Sequence, residues 1–309
     1  MNKRIVVALG GNAIQPPGVP ATAENQFAAV RATCQNLAEM IRQGYQVIIT
    51  HGNGPQVGNI LLQNEEARDV VPPMPLDVCG AQTQGFIGYM IQQSMGNILP
   101  ELTVASIVTQ VEVSPLDSAF DRPTKPIGPF YNQPEAEKLQ REKDFVMVED
   151  SGRGWRRVVP SPTPLAIVEK EAIATLLAQN MLVIASGGGG IPVVRDSEGK
   201  LSGVEAVIDK DLAAEKLAAD VDAHILLILT DVDAVAINWG TPQQEFLGEL
   251  SLQQARSFQR QGHFKAGSMG PKVEAACRFV EHGGETAIIA SLSSALPALQ
   301  GNAGTRFVG

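Results

Sequence analysis

Ile5-Val-Val-Ala-Leu9, followed at once by Gly10-Gly11-Asn12, and Val47-Ile-Ile49, followed by Thr50-His51-Gly52-Asn53-Gly54-Pro55, decide the fold between them. Each apolar run is short and rich in β-branched residues, as strands buried on both faces of a parallel sheet are. Between them Thr22 can cap a helix from about Glu24 to Arg42, with Phe27, Val30, Leu37 and Ile41 on one face and Gly44 past its end. A strand, a helix and a second parallel strand make a right-handed crossover.

The same rhythm runs outward from this unit. Helices are predicted from near Gln56, from Ala81 to Met95, from Leu165 to Asn180 and from Pro271 to His282. Strands are predicted at Thr103 to Thr109, Leu182 to Ala185, Ile225 to Leu229 and Thr286 to Ala290. Alternation of this kind predicts a three-layer α/β/α sandwich with a mainly parallel central sheet. Its ligands should gather at the carboxyl ends of the strands. At 309 residues the chain exceeds the usual size of one core, so one large α/β unit or two lobes is expected.

The segment from Ser114 to about Pro164 breaks the rhythm. Prolines at 115, 123, 126, 129, 134, 160, 162 and 164 surround the short apolar pieces Phe145-Val-Met-Val148 and Val158-Val159. A structureless loop of this length is unusual inside a compact chain, so an ordered excursion, a small protruding subdomain of hairpin and loops, is expected near the site.

Composition narrows the function. With 44% hydrophobic and 18% charged residues the chain is ordinary globular protein. Its net charge of −9 argues against a nonspecific grip on nucleic acid, which needs clustered Lys and Arg. The charge leaves room for a small anionic substrate held by a few pocket lysines. Cys34, Cys79 and Cys277 show no CxxC spacing and are odd in number, which argues against a disulfide framework or a zinc site and suits a reducing, cytoplasmic setting. Met1-Asn2-Lys3-Arg4 with the following apolar run has the look of a signal peptide. The run is too short, however, and ends in two glycines, so a first strand is the better reading. No apolar run approaches the ~20 residues that span a bilayer.

The chemistry sits where strands end. Gly10-Gly11-Asn12, Gly52-Asn53-Gly54 and Ser186-Gly187-Gly188-Gly189-Gly190 each follow a predicted strand. Backbone N–H groups there can approach an anion with no Cβ in the way. GxxxxGK[ST] and GxSxG are absent, and the glycine after Gly54 falls at Gly58, one position too far for GxGxxG. Phosphoryl transfer needs positive charge around the moving group. Three lysines stand in stiff or glycine-rich settings: Lys125 in Pro123-Thr-Lys-Pro-Ile-Gly-Pro129, Lys210 in Ile208-Asp-Lys-Asp211 before a helix, and Lys272 in Gly267-Ser-Met-Gly-Pro-Lys272 at the start of another. Asp211 is expected to cap its helix and orient the ammonium groups. Asp231 and Asp233 read as Asx turns rather than a metal pair, and no protein metal site is assigned. His51 reads as a structural hydrogen-bonding residue.

Taken together these stretches resemble carbamate kinases, within the amino acid kinase superfamily, nearly end to end. The resemblance is carried by Val6-Val-Ala-Leu-Gly-Gly-Asn-Ala13, Thr50-His-Gly-Asn-Gly-Pro-Gln-Val-Gly58, Met74-Pro-Leu-Asp77, Gly187-Gly-Gly-Gly-Ile-Pro192, Gly203-Val-Glu-Ala-Val-Ile-Asp-Lys-Asp211 and Gly267-Ser-Met-Gly-Pro-Lys272. The more particular stretches are Pro123-Thr-Lys-Pro-Ile-Gly-Pro-Phe130 and Gly152-Arg-Gly-Trp-Arg156. Ala234, Trp239 and Gly270 depart from the family pattern on the adenine side.

The resemblance implies reversible phosphoryl transfer between ATP and carbamate, with magnesium carried by the nucleotide, in a homodimer. It implies that a lobe of about residues 1–180 binds carbamoyl phosphate, covered by the protruding subdomain of about 114–164, and that about 181–309 binds nucleotide. Carried over by position, Lys210 and Lys272 would stabilise the transferring group, oriented by Asp211. Lys125 would reach in from the subdomain, and Arg156 would help place it. Gly10, Gly11, Asn12, Gly52, Asn53 and Gly54 would cradle the substrate. Gly188, Gly189, Thr230, Asp231 and Met269 would lie along the nucleotide. A kinase of another small carboxylate or amino acid and a non-catalytic nucleotide sensor are the alternatives. Arginine and purine breakdown are both open as sources of carbamoyl phosphate.

Overall fold

The computed structural model describes residues 3–150, 152–265 and 267–309. Met1 and Asn2, at the signal-like start, lie outside the described residues. Strands Arg4–Leu9 and Gln46–His51 pair in parallel at the centre of an eight-stranded sheet. From one edge its order is Glu249–Ser251, Thr305–Val308, Thr286–Ser291, Ile225–Thr230, Arg4–Leu9, Gln46–His51, Leu182–Ile184 and Val104–Ser106. Six of these strands run the same way. Thr305–Val308 is antiparallel to Thr286–Ser291, and Glu249–Ser251 follows it.

Alternate side chains of the central strands enter two different cores. Val6, Ala8, Ile48, Leu226 and Ile228 pack on one face with helices Lys210–Asp220 and Met269–Glu281. Ile5, Val7, Leu9, Ile49 and Leu227 pack on the other with helices Ala23–Arg42 and Leu76–Ile98. These residues are essentially inaccessible to water. Burying each such aliphatic side chain contributes about 1.5–3 kcal/mol, which is why neither face can be left open. The result is a three-layer α/β/α sandwich. Thr22 caps its first helix through the Asn25 N–H at 3.2 Å.

The excursion is ordered. Lys125–Tyr131, Trp155–Val159 and Val146–Glu149 form a three-stranded antiparallel sheet, crossed by helix Gln133–Lys143. A small cluster of Val57, Leu76, Cys79, Ile127 and Val159 fastens this sheet to helix Gly54–Glu66.

Two expectations need correction. Thr103 to Thr109 is not one strand: Val104–Ser106 belongs to the main sheet, and Gln110–Val113 starts a separate four-stranded sheet. The buried Gln84 side chain ends the ladder between them. It accepts from the Thr109 N–H at 2.7 Å and donates to the Thr109 carbonyl at 3.1 Å. Leu165 to Asn180 is not all helix either. Pro164–Ile167 is a strand antiparallel to Gln110–Val113, and the helix is Lys170–Ala178. Residues before proline favour extended backbone, and the run from Pro160 to Pro164 carries that bias into the strand.

Candidate active site

The strands Arg4–Leu9, Gln46–His51, Leu182–Ile184 and Ile225–Thr230 end on one side of the sheet, and the glycine clusters stand there. The N–H groups of Gly10 and Gly52 continue the ladder, donating to Leu229 O at 3.0 Å and Leu9 O at 2.9 Å. These two amides are therefore spent on the sheet, so Gly10 and Gly52 shape the loops through their backbone path rather than through free N–H groups. Those of Gly11, Asn12, Asn53 and Gly54 meet no protein acceptor among the described residues. Helix Gly54–Glu66 begins with no side-chain cap, so its first turn presents bare N–H groups and the positive end of its dipole. A Cβ added to Gly52 would lie 3.3 Å from Gly11 N and 3.7 Å from Lys210 Cδ, so the two loops and the lysine stem adjoin.

Lys210 stands at the start of helix Lys210–Asp220, and Lys272 in the first turn of helix Met269–Glu281. Both ammonium groups meet the Asp211 carboxylate: Lys210 Nζ lies 2.8 Å from Oδ1 and Lys272 Nζ 2.9 Å from Oδ2. The first contact is close but not aligned as a hydrogen bond. Lys210 Nζ and Asp211 Oδ1 thus stay buried with hydrogen-bonding capacity unspent. An ammonium group has three donors, and the ion pair with Asp211 leaves Lys210 others to offer.

Burial drives the Lys210 pKa down, partly offset by Asp211. Burial also opposes charge on Lys272, but Asp211 outweighs it and holds that pKa above the ordinary lysine value. Asp211 itself is held below the usual carboxylate range: burial works the other way, and the two lysines win. His51 is buried and its pKa falls to about 4, first by burial, leaving a neutral ring whose Nδ1 lies 3.0 Å from the Gly52 carbonyl.

Asp211 does not cap its helix. The cap is Asp209, whose Oδ1 accepts from the Asp211 N–H at 2.9 Å. Its other oxygen, Oδ2, accepts from Lys125 Nζ at 2.8 Å. Lys125 thereby joins the cluster through a residue that sequence reasoning passed over. The available signal was an Asp immediately before a helix start.

A cleft of roughly 1010 Å³ opens beside the cluster. Lys125, Arg153 and Arg156 line it from the protruding sheet, Asp209 and Leu212 from the core, and Gly270 and Pro271 from the helix that carries Lys272. Arg156 donates to the Gly128 carbonyl at 3.2 Å, pairs with Asp150 at 3.4 Å and stacks over Phe130 at 5.2 Å. It braces the protruding sheet, and no contact links it to the Asp211 cluster among the described residues. Thr230 ends the strand beside Gly10 and Asp231 follows it, adding to the negative potential at Lys272. Met269 opens the helix of Lys272, and no side chain caps that helix.

Gly188 and Gly189 are hemmed in by protein atoms. Both are buried with φ of +69° and +97°. A Cβ on the first would overlap the Asn53 amide and on the second the Ile208 carbonyl. They pack behind the loop of Asn53 and the Asp209 segment, where only glycine fits. Gln84 donates to the Gly187 carbonyl at 3.1 Å, and Thr83 accepts from the Asn53 side chain at 2.8 Å. Both supports went unread in the sequence.

An α/β/α sandwich whose strand ends gather lysines, uncapped helix N-termini and bare amides is the framework of a phosphoryl transferase. Comparison with known proteins makes this particular. The defining pattern of the amino acid kinase family matches residues 3–291. The carbamate kinase of Pyrococcus furiosus is 53% identical over 312 residues, covering 99% of both chains. That of Trichomonas vaginalis is 48% identical over 311 residues, with the same coverage. Among solved structures, the carbamate kinase of Giardia lamblia bound to AMP-PNP superposes with a TM-score of 0.94 at 46% identity, covering 99% of this chain and 98% of that one. The chain belongs to the amino acid kinase family and, within it, to the carbamate kinases, which interconvert ATP plus carbamate with ADP plus carbamoyl phosphate.

Proposed function

We propose that this enzyme works chiefly toward ATP, from carbamoyl phosphate and ADP, at the cluster of Lys210, Lys272, Asp211 and Lys125. The observation that carries the site assignment is the shared carboxylate: two lysines from separate helices converge on Asp211 at the strand ends. The direction rests on chemistry. Carbamoyl phosphate is a mixed anhydride, and its phosphoryl group passes readily to a phosphate acceptor.

In that direction a β-phosphate oxygen of ADP attacks phosphorus. The bond from phosphorus to the carbamoyl oxygen breaks, and its electron pair leaves with carbamate. No proton moves in this step, so no general base is required, in keeping with the neutral, buried His51. Charge spreads over the oxygens of the moving group, and positioned cations lower the barrier. Lys210 and Lys272 hold that group from the core, Asp211 keeps both aimed, and Lys125 closes on it from the lid braced by Arg156.

The amides of Gly11, Asn12, Asn53 and Gly54 bind the carbamoyl phosphate, with Gly10 and Gly52 setting the backbone path. Thr230, Asp231 and Met269 follow the nucleotide, with Gly188 and Gly189 supporting from behind. On this reading the half before about residue 180 holds the substrate and the half after it the nucleotide. Asp209 and Asp211 are both engaged by lysines, so magnesium would be held by the nucleotide's own phosphate oxygens, where it neutralises their charge. Exposed Tyr89 and Val108 near the edge strand Val104–Ser106 support a homodimer formed along that side. Three buried, unpaired cysteines support a cytoplasmic, reducing setting. No described helix is long and apolar enough to cross a membrane.

The test is a coupled assay with carbamoyl phosphate and Mg·ADP, reading ATP. One ATP per carbamoyl phosphate consumed is expected, with a higher kcat/KM than for the reverse reaction. Absence of ATP, together with phosphorylation of N-acetylglutamate from ATP, would move the acceptor elsewhere in the family.

A further inference from the structure

We propose that Asp209 is the positioning residue of the lid lysine. One carboxylate oxygen fixes the first turn of the helix carrying Lys210 and Asp211, and the other holds the Lys125 ammonium, so the lid lysine is presented in register with the two core lysines. The inference rests on the reading of these lysines as the phosphoryl-transfer cluster.

A helix cap needs one acceptor oxygen. Asp209 uses a second, on a residue 84 positions away in another sheet. A free lysine explores many rotamers, and each must be given up before it can meet a phosphate. A charge-assisted hydrogen bond to a partly buried carboxylate selects among them in advance. The carboxylate side chain is 14% exposed and fixed by its helix, whereas the lysine is 31% exposed on a peripheral strand. The fixed partner therefore places the movable one. Three lysines face Asp209, Asp211 and the nearby Asp231, so the cluster is close to neutral before a phosphoryl group arrives. An arriving phosphoryl group can then draw Lys125 away from Asp209 without stranding either ion, because the carboxylate keeps the Asp211 N–H.

The test is a double-mutant cycle. Asp209→Asn and Asp209→Ser both keep an N-cap acceptor and remove the charge, so thermal unfolding should stay close to wild type. Each should lower kcat/KM for carbamoyl phosphate by about 10-fold or more in the wild-type background, but by less than about 3-fold in Lys125→Ala. Equal losses in both backgrounds would show that Asp209 acts as a cap or through the core lysines, and would overturn the inference alone. Unchanged turnover in both single Asp209 variants would also overturn it. Unchanged turnover in Lys125→Ala would instead remove the lysine from the chemistry, and the site reading with it.

Discussion

The core lysines and the lid lysine reach one place by different construction. Lys210 and Lys272 rise from the first turns of helices packed on the main sheet, with side chains 14% and 16% exposed over an Asp211 only 4% exposed. Lys125 comes from a three-stranded sheet fastened by a small apolar cluster and is about twice as exposed. The core pair is preorganised: its position is fixed by burial in a shared hydrophobic core, and no reorganisation is needed when charge develops. The lid lysine stands on a separate sheet, and its ammonium is held by one ion pair to Asp209 rather than by burial in the main core. The difference separates a cation pair held by core burial from a cation held on the periphery by a single carboxylate.

Mutation of each arm sharpens this contrast. Lys272→Ala should have the largest effect, a fall in kcat of about 10³-fold with the fold retained, because it removes a fixed cation from a water-poor site. Steady-state kinetics alongside circular dichroism would check it. Lys125→Ala should cost less, about 10²-fold in kcat/KM, since the core pair still holds the migrating group. A larger loss at Lys125 than at Lys272 would invert the proposed roles.

A smaller effect concerns stability. His51 has its pKa lowered from 6.5 to about 4 by burial, so between those values the unfolded chain binds a proton that the native one refuses. Stability then rises with pH across that window and falls as pH drops below about 6.5, by up to about 3 kcal/mol in all. Denaturation midpoints measured from pH 7 to 4 should show this slope in wild type and a flatter one in His51→Gln. Equal slopes would mean that the ring is not held neutral.

Much of the central sheet was legible because its strands are short β-branched runs ended by glycine, a pattern that burial on both faces imposes. The stretch from Leu165 to Val168 was not. An apolar run without alternation reads equally as helix or strand, and its partner Gln110–Val113 lies more than fifty residues away. The same holds for Thr103 to Thr109, where a glutamine side chain from a helix, invisible to local reasoning, cuts one apparent strand in two.

At the site, Lys210 and Lys272 were readable from their helix-start and glycine-rich settings. The role of Asp209 was not, because its meaning depends on a lysine brought to it by a different sheet. Gly188 and Gly189 were recognised as special, but the neighbours that demand glycine there were not legible. Their need is set by Asn53 and Ile208, which the chain contributes from elsewhere.

On the proposed mechanism three lysines close on one phosphoryl group. A crystal structure with Mg·ADP, carbamate and a planar metal-fluoride mimic of that group tests it most directly. The Nζ atoms of Lys125, Lys210 and Lys272 should all lie within hydrogen-bonding distance of the mimic, with Lys125 drawn off Asp209. A mimic bound with Lys125 still on Asp209, or with either core lysine turned away, would contradict it.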